Sequence, residues 1–331
     1  MSGLGAAAIP DEHAEGHEDA VDLSVVIVSY NTAELLRGCL SSIFAQTSGI
    51  SFEVVVVDNA STDGSAAMVA EQFPAVELVT LGENLGFARA CNLGAERARG
   101  RDLLLLNPDT VVLDGALHRL AAFARAHPEA GICGGRTLAA DGSLDPSSCL
   151  GAPSPWSLTC YALGLSTLFR RSRLFNPEWL GRWDRGSVRH VDVVTGCLLL
   201  LSRRLWEELG GFDDRFFMYG EDVDLCLRAS ALGYRPTITP EATVVHRVGS
   251  SSPSRSAKKQ MVLRGKVTVI TKHWAPAAAR FGRRMLLLGV GLRAAGAAGQ
   301  RLAGRGRPSP WPELWRTRRE WLSGWTGAPP A

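Results

Sequence analysis

The stretch LSVVIVS at residues 23–29 decides the fold, because it is a short run of almost only β-branched and aliphatic residues. Such a run is typical of a parallel strand that is buried on both faces of a sheet. A second run of this kind, FEVVVV, follows at residues 52–57, and a third, DLLLL, at residues 102–106. We therefore expect a central, mostly parallel sheet.

Segments with helical spacing of apolar residues separate these strands, and a further short strand is predicted at residues 76–81. The alternation predicts an α/β fold with helices on both faces of the sheet. The predicted helices span residues 32–46, 65–72, 86–98 and 115–127. Ligands of such sheets lie beyond the carboxyl ends of the strands. We therefore expect three polar clusters to meet at one rim: Ser29–Tyr30–Asn31, Asp58–Asn59–Ala60 and Asn107–Pro108–Asp109.

The pattern is less regular between residues 136 and 190, where prolines, glycines and serines predict loops and short elements. This stretch is a candidate flap beside a ligand site, but the sequence alone does not decide that. Regular structure returns with a strand-rich segment, two helices and a last strand. These elements are predicted at 191–202, at 203–209, in the second half of 212–234, and at 237–245 before His246.

Charge is unevenly distributed along the chain. The 331 residues carry a formal net charge of +3, but residues 255–331 hold 16 basic and 2 acidic residues and so contribute +14. Residues 1–254 hold 20 basic and 31 acidic residues and contribute −11. A basic tail on an acidic body predicts a partner with an anionic surface.

Composition and motifs exclude several protein classes. Hydrophobic residues make up 46% and charged residues 21% of the chain, as in a globular rather than a disordered protein. No apolar run reaches the roughly 18–20 residues of a membrane-spanning helix. The first strand is followed by SYNTAELL, without a GxGxxG dinucleotide fingerprint, and the chain has neither a P-loop nor a GxSxG elbow.

The cysteines and the amino-terminal residues bear on the compartment. The seven cysteines form no CxxC pair and no zinc-ligand spacing, which predicts reduced, buried thiols in a cytosolic protein. Residues 1–22 hold six acidic residues and no basic one, the reverse of a secretory signal peptide. We expect them to form a flexible acidic leader.

A series of motifs in residues 23–250 resembles glycosyltransferase family 2, and more narrowly its bacterial rhamnosyltransferase-like branch. In chain order they are SVVIVSYN, VVVVDNASTDGS, ENLGFARACNLG, LLLLNPDT and the highly specific GGFDDRFFMYGEDVDLCLR, followed by His246. The resemblance implies a GT-A fold with a nucleotide-binding sheet in residues 23–250. It also implies a nucleotide-diphosphosugar donor, a divalent metal and inversion at the anomeric carbon.

Asp58 is the central residue of the predicted nucleotide pocket. Its carboxylate stands at the end of a buried strand, where it can accept a hydrogen bond from a pyrimidine N–H. The alternative is that it belongs to the turn and capping cluster NASTDGS that follows. The other residues predicted to bind the nucleotide are Ser29, Tyr30, Asn31, Asn59, Asn84, Gly86 and Arg89.

Two of those residues have a specific expected role. Gly86 allows the backbone to approach a ligand closely or to take an unusual φ angle. Arg89 is either a contact to a donor phosphate or an ordinary exposed arginine at the start of a helix.

Asn107–Pro108–Asp109 occupies the place of the family's DxD metal motif, with Asn107 replacing the first acid. The resemblance makes Asp109, Asn107 and His246 the residues that hold Mg²⁺ or Mn²⁺ at the donor diphosphate. The residues alone leave two alternatives open. NPDT is also a good type I turn, and a lone histidine is often a partly buried structural residue.

Glu221 and Asp222 are the candidate catalytic residues. An inverting transfer needs a base on the acceptor side that takes the acceptor proton. By resemblance Asp222 is that base, and Glu221 orients the acceptor or a loop. Adjacent residues do not share a helix face, so only one of the pair can act directly. The alternative is that Glu221, Asp222 and Asp224 simply favour the positive end of the helix dipole. Arg228 stands four residues after Asp224, so we expect these two side chains to pair.

The carboxy-terminal region, residues 251–331, alternates basic with apolar and aromatic residues and holds five of the nine tryptophans. This composition predicts helices at an anionic membrane surface, with the protein peripheral on the cytoplasmic face of the cell membrane. The alternative is a helical cap that packs on the body. Because no recognition module accompanies the charge, we expect no nucleic-acid partner.

The sequence thus predicts a metal-dependent, inverting hexosyltransferase of cell-wall polysaccharide synthesis. Its first candidate donor is dTDP-L-rhamnose, and its acceptor is a polyprenyl-linked or cell-surface glycan. The same-fold rival uses another donor, such as a UDP-linked galactosyl or N-acetylhexosaminyl group. A sugar-nucleotidyltransferase is less favoured, because it needs a glycine-rich phosphate loop after the first strand. A non-enzymatic binding module is the third rival.

Overall fold

The computed structural model describes residues 21–247, 254–304 and 308–327, so most of the predicted leader 1–22 lies outside the described residues. Its strands are short and mostly buried. They are β1 Leu23–Ser29, β2 Phe52–Asp58, β3 Glu77–Thr80, β4 Asp102–Leu106, β5 Thr110–Val112, β6 Ile132–Leu138, β7 Leu144–Asp145, β8 Cys149–Leu150, β9 Arg189–His190, β10 Val193–Val194, β11 Leu198–Ser202 and β12 Thr237–His246.

Helices alternate with these strands and then continue alone to the carboxyl end of the described chain. They are α1 Ala33–Gln46, α2 Ser65–Gln72, α3 Phe87–Arg97, α4 Ala116–Ala126, α5 Pro155–Ala162, α6 Leu165–Leu168, α7 Arg203–Leu209, α8 Glu221–Ala231, α9 Arg255–His273, α10 Pro276–Leu302, α11 Trp311–Arg316 and α12 Arg318–Leu322.

The main sheet has the order β3-β2-β1-β4-β11-β6-β12-β5. Strands β3, β2, β1 and β4 are parallel to one another, as the sequence predicts. The second half of the sheet is mixed. Strand β11 lies antiparallel between β4 and β6, and β12 is parallel to β6 but antiparallel to β5. The sequence did not predict β5 or β6 as strands.

Each central strand feeds two hydrophobic cores, one on each face of the sheet. Val26 and Val28 of β1 belong to the core beneath α3, α7 and α8, whereas Val25 and Ile27 belong to the core beneath α1, α2 and α4. Successive side chains of a strand point to opposite faces, which is why β1 reads as an unbroken apolar run. All seven cysteines are buried and unpaired, so none forms a disulfide.

Residues 136–190 hold short elements joined by hydrogen bonds from loop to loop. The two-residue strand β8 pairs with β10, and Gly151 N donates to the carbonyl of Glu178 at 2.8 Å. Arg185 is buried and donates to the carbonyls of Pro146, Trp179 and Trp183. The loops of this region are therefore hydrogen-bonded to one another. The chain then continues into β10 and β11, beside the rim of the sheet.

The described helices α9 to α12 pack on the body and on one another. Leu263, Val267 and Ile270 of α9 form a third core with Leu158 of α5, Leu286 of α10 and Trp321 of α12. Gly265 of α9 lies directly over the Tyr219 carbonyl. Within residues 21–247, 254–304 and 308–327, no helix has the length and apolar character that crossing a membrane requires.

The contact at Gly265 predicts an unusual response to a glycine-to-alanine substitution. A Cβ at residue 265 would overlap the Tyr219 carbonyl, whereas a Cβ at Gly296 of α10 would meet nothing within 4 Å. Alanine is favoured over glycine in a helix by about 1 kcal/mol. We expect Gly296→Ala to raise the thermal unfolding midpoint and Gly265→Ala to lower it. A rise with both variants would mean that α9 does not pack on the Tyr219 segment.

Candidate active site

The polar clusters at the ends of β1, β2 and β4 meet at one rim of the sheet, as the sequence predicts. The parallel register pairs Ser29 with Asp58, so the two strands end side by side. The antiparallel register of β12 with β5 pairs His246 with Thr110, which brings His246 beside the Asn107–Asp109 turn. Helix α8 completes the rim, because its first turn faces the loop before β11.

Asp58 is 3% exposed, and only one of its carboxylate oxygens is engaged within the described residues. Oδ2 accepts a hydrogen bond from the Ser61 amide at 3.0 Å, whereas Oδ1 is buried without a partner. A buried carboxylate oxygen without a hydrogen bond is costly. A role of Asp58 in the turn that follows β2 therefore explains Oδ2 only. Oδ1 has the chemistry to accept a hydrogen bond from a ligand N–H.

Asn31, Asn59 and Asn84 shape the loops around Asp58. Asn59 accepts a hydrogen bond from the Leu85 amide at 2.9 Å and donates to the side chain of Asn84 at 3.0 Å. Asn31 has a φ of 53° and accepts from the Thr62 amide at 2.8 Å. These side chains join the loop after β1, the loop after β2 and the turn before α3, so their polar groups position the pocket walls.

Gly86 fills a position that other residues fit poorly. Its φ is 84°, and a Cβ there would overlap the Phe217 carbonyl. The next amide, Phe87 N, donates to that same carbonyl at 2.7 Å. The turn before α3 is thereby fixed to the segment that precedes α8, so the predicted close approach is to protein backbone.

The remaining three residues of the predicted nucleotide set differ in exposure. Ser29 is fully buried and shares a hydrogen bond of 3.0 Å with the hydroxyl of Thr32. Tyr30 is exposed beside it, and Arg89 is half-buried on the first turn of α3. Arg89 lies near Gly327, where a Cβ would be 3.6 Å from Nη2 of the arginine. The carboxy-terminal segment therefore reaches the part of the rim formed by the start of α3.

His246 is the centre of a polar cluster with Asn107 and Asp109. Its Nε2 lies 3.2 Å from Oδ1 of Asp109 and 3.4 Å from Nδ2 of Asn107. Asp109 and His246 are both buried, and the Asp109 carbonyl accepts from the Arg247 amide at 2.8 Å. The three residues that the sequence predicts as a metal site are therefore neighbours in space.

Asp145 is a fourth member of this cluster that the sequence analysis missed. Its Oδ2 lies 3.0 Å from Nδ1 of His246, on the other side of the ring from Asp109. Burial lowers the pKa of His246, but the hydrogen bonds to Asp109 and Asp145 outweigh burial and raise it to about 9. Asp145 precedes a proline in an irregular stretch, so only the pairing of β7 with β6 places it here.

The side chains at this cluster fit a divalent cation. A carboxylate, an imidazole and an amide oxygen are acceptable donors for Mn²⁺, and the first and last also suit Mg²⁺. A carboxylate on Nδ1 is the usual way to orient a histidine whose Nε2 binds a metal. Among the described residues, no three His, Cys, Asp or Glu side chains are grouped to hold a metal by themselves. Ligands from the donor diphosphate would therefore have to complete the coordination.

Hydrogen bonds to two consecutive residues of the loop before β11 connect Asp222 with the cluster around His246. Its Oδ2 accepts a hydrogen bond from the Gly196 amide at 3.3 Å. The carbonyl of the next residue, Cys197, accepts from the Asn107 amide at 3.2 Å. Asp222 remains partly exposed, whereas Glu221 is buried, so the two carboxylates do face different surroundings.

Glu221 and Asp224 are buried acids with opposite pKa shifts. Burial and the neighbouring Asp222 carboxylate raise the pKa of Glu221 well above 4.5, and its Oε2 has no partner among the described residues. Burial also raises the pKa of Asp222. Burial acts in the same direction on Asp224, but hydrogen bonds and charges from its basic partners outweigh it and lower the pKa.

The partners of Asp224 include two residues of α9 that the sequence analysis did not predict. Its Oδ2 accepts from Arg228 at 2.8 Å, as predicted from the i,i+4 spacing. Its Oδ1 lies 2.7 Å from both Lys272 Nζ and His273 Nε2, at the end of α9. The basic tail thus supplies one cation, Lys272, and one imidazole, His273, to a carboxylate in the first turn of α8.

Comparison with known proteins agrees with this geometry. Residues 24–175 match the family model described as Glycosyl transferase family 2. The chain is 30% identical over 257 residues to the N-acetylglucosaminyl-diphospho-decaprenol L-rhamnosyltransferase of Mycobacterium tuberculosis, over 70% of this chain and 77% of that protein. It is also 30% identical over 239 residues to the O-antigen biosynthesis protein RfbC of Myxococcus xanthus, over 69% of this chain but 17% of that protein.

A solved structure supports the fold. The mannosyltransferase PcManGT of Pyrobaculum calidifontis, solved with GDP-Man and Mn²⁺, is 21% identical and has a TM-score of 0.52. The similarity covers 92% of this chain and 84% of that protein. The fold and the rim of the sheet therefore define a glycosyltransferase of the GT-A class. The chain belongs to glycosyltransferase family 2, in its rhamnosyltransferase-like branch.

The opposite pKa shifts of Glu221 and Asp224 predict opposite effects of two isosteric substitutions. Folding favours protonated Glu221, so its contribution to stability falls as pH rises above its unfolded pKa, roughly 4.3. Folding favours ionised Asp224, whose contribution is present above roughly pH 3.9 and is lost as pH falls. We expect the free energy of unfolding of Glu221→Gln, measured relative to wild type, to be higher at pH 8 than at pH 5. Asp224→Asn should lower the free energy of unfolding by about 2 kcal/mol at neutral pH, because the partly buried cations of Arg228 and Lys272 lose their carboxylate partner.

Urea unfolding at several pH values measures both effects, with each variant as the other's control. Equal losses of unfolding free energy at all pH values would contradict the assigned protonation states.

Proposed function

We propose that this enzyme transfers L-rhamnose, with inversion, from a dTDP-linked donor to a lipid-linked glycan. The observation that carries the proposal is one rim that holds a partly unpaired Asp58, the Asp109–His246 pair and a partly exposed Asp222. The activity named for the M. tuberculosis relative supports the choice of sugar and of a polyprenyl-diphosphate-linked acceptor. A UDP-linked galactosyl or N-acetylhexosaminyl donor is the same-fold alternative.

The donor nucleotide is assigned to the side of the rim formed by β1 and β2. The free oxygen of Asp58 accepts a hydrogen bond from the N–H of a pyrimidine ring, which thymine and uracil both offer. Tyr30 and Asn31 line the base pocket, and Asn59 and Asn84 hold its walls. Ser29 is fully buried and supports the turn after β1 through its hydrogen bond to Thr32. Arg89 contacts a phosphate, where its guanidinium offers charge-assisted hydrogen bonds.

Asp109 and His246, assisted by Asn107, are proposed to hold Mg²⁺ or Mn²⁺ together with the donor diphosphate. Such a metal supplies positive charge that stabilises the nucleoside diphosphate as it leaves. Asp145 is a positioning residue in this arrangement. Its hydrogen bond to Nδ1 fixes the ring of His246 so that Nε2 faces Asp109.

Asp222 is proposed as the catalytic base. The acceptor hydroxyl oxygen forms a bond to the anomeric carbon while the bond from that carbon to the diphosphate oxygen breaks. The acceptor proton passes to Asp222, and the electron pair of the broken bond leaves with the nucleoside diphosphate. Burial raises the pKa of Asp222, which makes its carboxylate a stronger base. Glu221, buried behind it, supports the helix start and does not contact the acceptor.

The domain division and the cellular place remain parts of the proposal. We assign the transferase domain to residues 23–250 and the basic helical region to residues 251–331, after a leader at 1–22. A polyprenyl-linked acceptor requires the enzyme to work at the cytoplasmic face of a membrane. The outer face of α10, with exposed Leu288 and Leu292 next to exposed arginines, supports contact of the tail with anionic lipid.

The role of Asp222 predicts a loss of turnover without a loss of donor binding. Asp222→Asn keeps the shape of the side chain but cannot take a proton, and general bases contribute about 10²–10⁴-fold to rates. We expect kcat to fall by at least about 100-fold, while the donor affinity, measured by calorimetry, stays unchanged. The matched control is Asp141→Asn in the exposed turn of residues 139–143. Normal turnover of the Asp222 variant would exclude it as the base.

The choice of donor predicts a specific stabilisation of the fold. A ligand at 100 times its Kd stabilises a protein by about 2.7 kcal/mol. We expect dTDP-L-rhamnose with Mn²⁺ to raise the thermal unfolding midpoint more than UDP-galactose or UDP-N-acetylglucosamine does. Addition of EDTA, or the double substitution Asp109→Asn and His246→Gln, should reduce the shift. A larger shift with a UDP-sugar would identify the rival donor, and no shift with any nucleotide sugar would overturn the proposed function.

A further inference from the structure

Residues 163–174, LGLSTLFRRSRL, comprise the one-turn helix α6 and the turns around it, and they expose large apolar side chains. We call this segment the Leu–Arg loop. Leu168 is 74% exposed, Leu174 is 61% exposed, and Leu163 is 58% exposed. Phe169 is 44% exposed. Single exposed apolar residues are ordinary, but a contiguous group indicates an interaction site.

The loop is held in its conformation by its own contacts. Phe175 points beneath it and packs against Phe169 and Trp156, with ring centroids 5.0 and 6.3 Å away. The Trp156 indole donates to the Leu174 carbonyl at 2.6 Å, and Asn176 donates to the Arg170 carbonyl at 2.9 Å. The inner side of the loop is therefore already filled, and the exposed leucines are not needed to complete it.

Positive charge accompanies the exposed apolar side chains. Arg170, Arg171 and Arg173 are all exposed, and none forms an ion pair with a described carboxylate. The chain has no Asp or Glu between residues 146 and 177. The next acid, Glu178, is already bound by Lys266 and by Ser157. The surface of the loop is therefore apolar and basic, without acidic residues of its own segment.

The helix that leads into the loop packs on the basic helical region. A Cβ at Gly289 of α10 would lie 2.7 Å from the Tyr161 ring of α5. Arg293 donates to the Tyr161 carbonyl at 2.8 Å. The start of the loop is therefore tied to α10, which carries the exposed Leu288 and Leu292.

We propose that the Leu–Arg loop docks the enzyme on an anionic phospholipid bilayer. Leu168, Phe169 and Leu174 enter the boundary between headgroups and acyl chains, and the three arginines bind lipid phosphates. Arginine can keep its charged group at the headgroups while its aliphatic stem lies along apolar surface. Basic residues next to an anionic leaflet each strengthen binding, and apolar insertion adds to it.

Docking at the loop has a consequence for the proposed reaction. A polyprenyl-linked acceptor is held in a bilayer, so docking would bring the enzyme to the surface that holds its acceptor. This consequence rests on the proposed function, whereas binding of the loop to lipid does not.

Vesicle sedimentation of the full-length protein tests the proposal. The vesicles contain phosphatidylcholine alone or phosphatidylcholine with 30% phosphatidylglycerol. The apolar test variant is Leu168→Ser with Leu174→Ser, and the charge variant is Arg170→Gln with Arg171→Gln and Arg173→Gln. Matched controls are Leu232→Ser, at the exposed end of α8, and Arg97→Gln with Arg204→Gln and Arg235→Gln, which removes the same charge from the body.

We expect wild type and both controls to bind the anionic vesicles. Each test variant should bind them about 10-fold or more weakly, because basic residues at an anionic leaflet and inserted apolar side chains both strengthen binding. Wild-type binding should also weaken in 0.5 M salt. Unchanged binding of both test variants would overturn the proposal. So would loss of binding only in Leu288→Ser with Leu292→Ser, which would assign the contact to α10 alone.

Two further measurements separate this proposal from the proposed function and from misfolding. The test variants should keep the wild-type unfolding midpoint, because their side chains are exposed; a variant that fails this is replaced by Leu168→Asn alone. They should also keep the stabilisation by dTDP-L-rhamnose. If the protein bound vesicles but no nucleotide sugar raised its unfolding midpoint, the docking proposal would hold and the proposed function would be overturned.

Discussion

The antiparallel pairing of β11 with β4 is the constraint on which the rest of the site depends. Its register sets Leu198 opposite Leu106, so the residues before β11 lie beside the residues after β4. Cys197 then accepts a hydrogen bond from Asn107, and Gly196 donates one to Asp222. One strand pair thus fixes Asp222, the proposed base, relative to the cluster of Asn107, Asp109 and His246. Neither residue of this link offers a side chain of its own to the chemistry.

The site combines carboxylates whose surroundings differ although they lie close together. Asp109 and Asp145 flank one imidazole, one oxygen of buried Glu221 has no partner among the described residues, and Asp224 pairs with Arg228 and Lys272. In a low-dielectric setting such differences decide which acid is ionised. One of the two cations at Asp224, Lys272, comes from α9. The +14 charge of the carboxy-terminal region is therefore not devoted to an external partner alone, since part of it neutralises the body.

The helices after residue 254 also have two faces with different roles. Their inner face completes a hydrophobic core with α5 and covers the segment before α8, so it belongs to the folded body. Their outer face carries exposed leucines and arginines. The sequence analysis set membrane contact and packing on the body against each other as alternatives. The structure shows the packing, and the exposed outer face leaves membrane contact compatible with it.

The sequence by itself determined the parallel half of the sheet and the residues at its rim. The bounds of β1, α2, β4 and α7 were predicted without error, because a buried parallel strand and an amphipathic helix each have a local pattern. The family motifs gave the candidates Asp58, Asp109, Asp222 and His246. Only the tertiary structure revealed β6 in the sheet, the carboxylate of Asp145 on His246, and the Lys272 cation of α9 on Asp224. These features join residues 48 to 101 positions apart or depend on which strands become neighbours. No local pattern encodes such contacts, since they form only when the sheet and the helices pack.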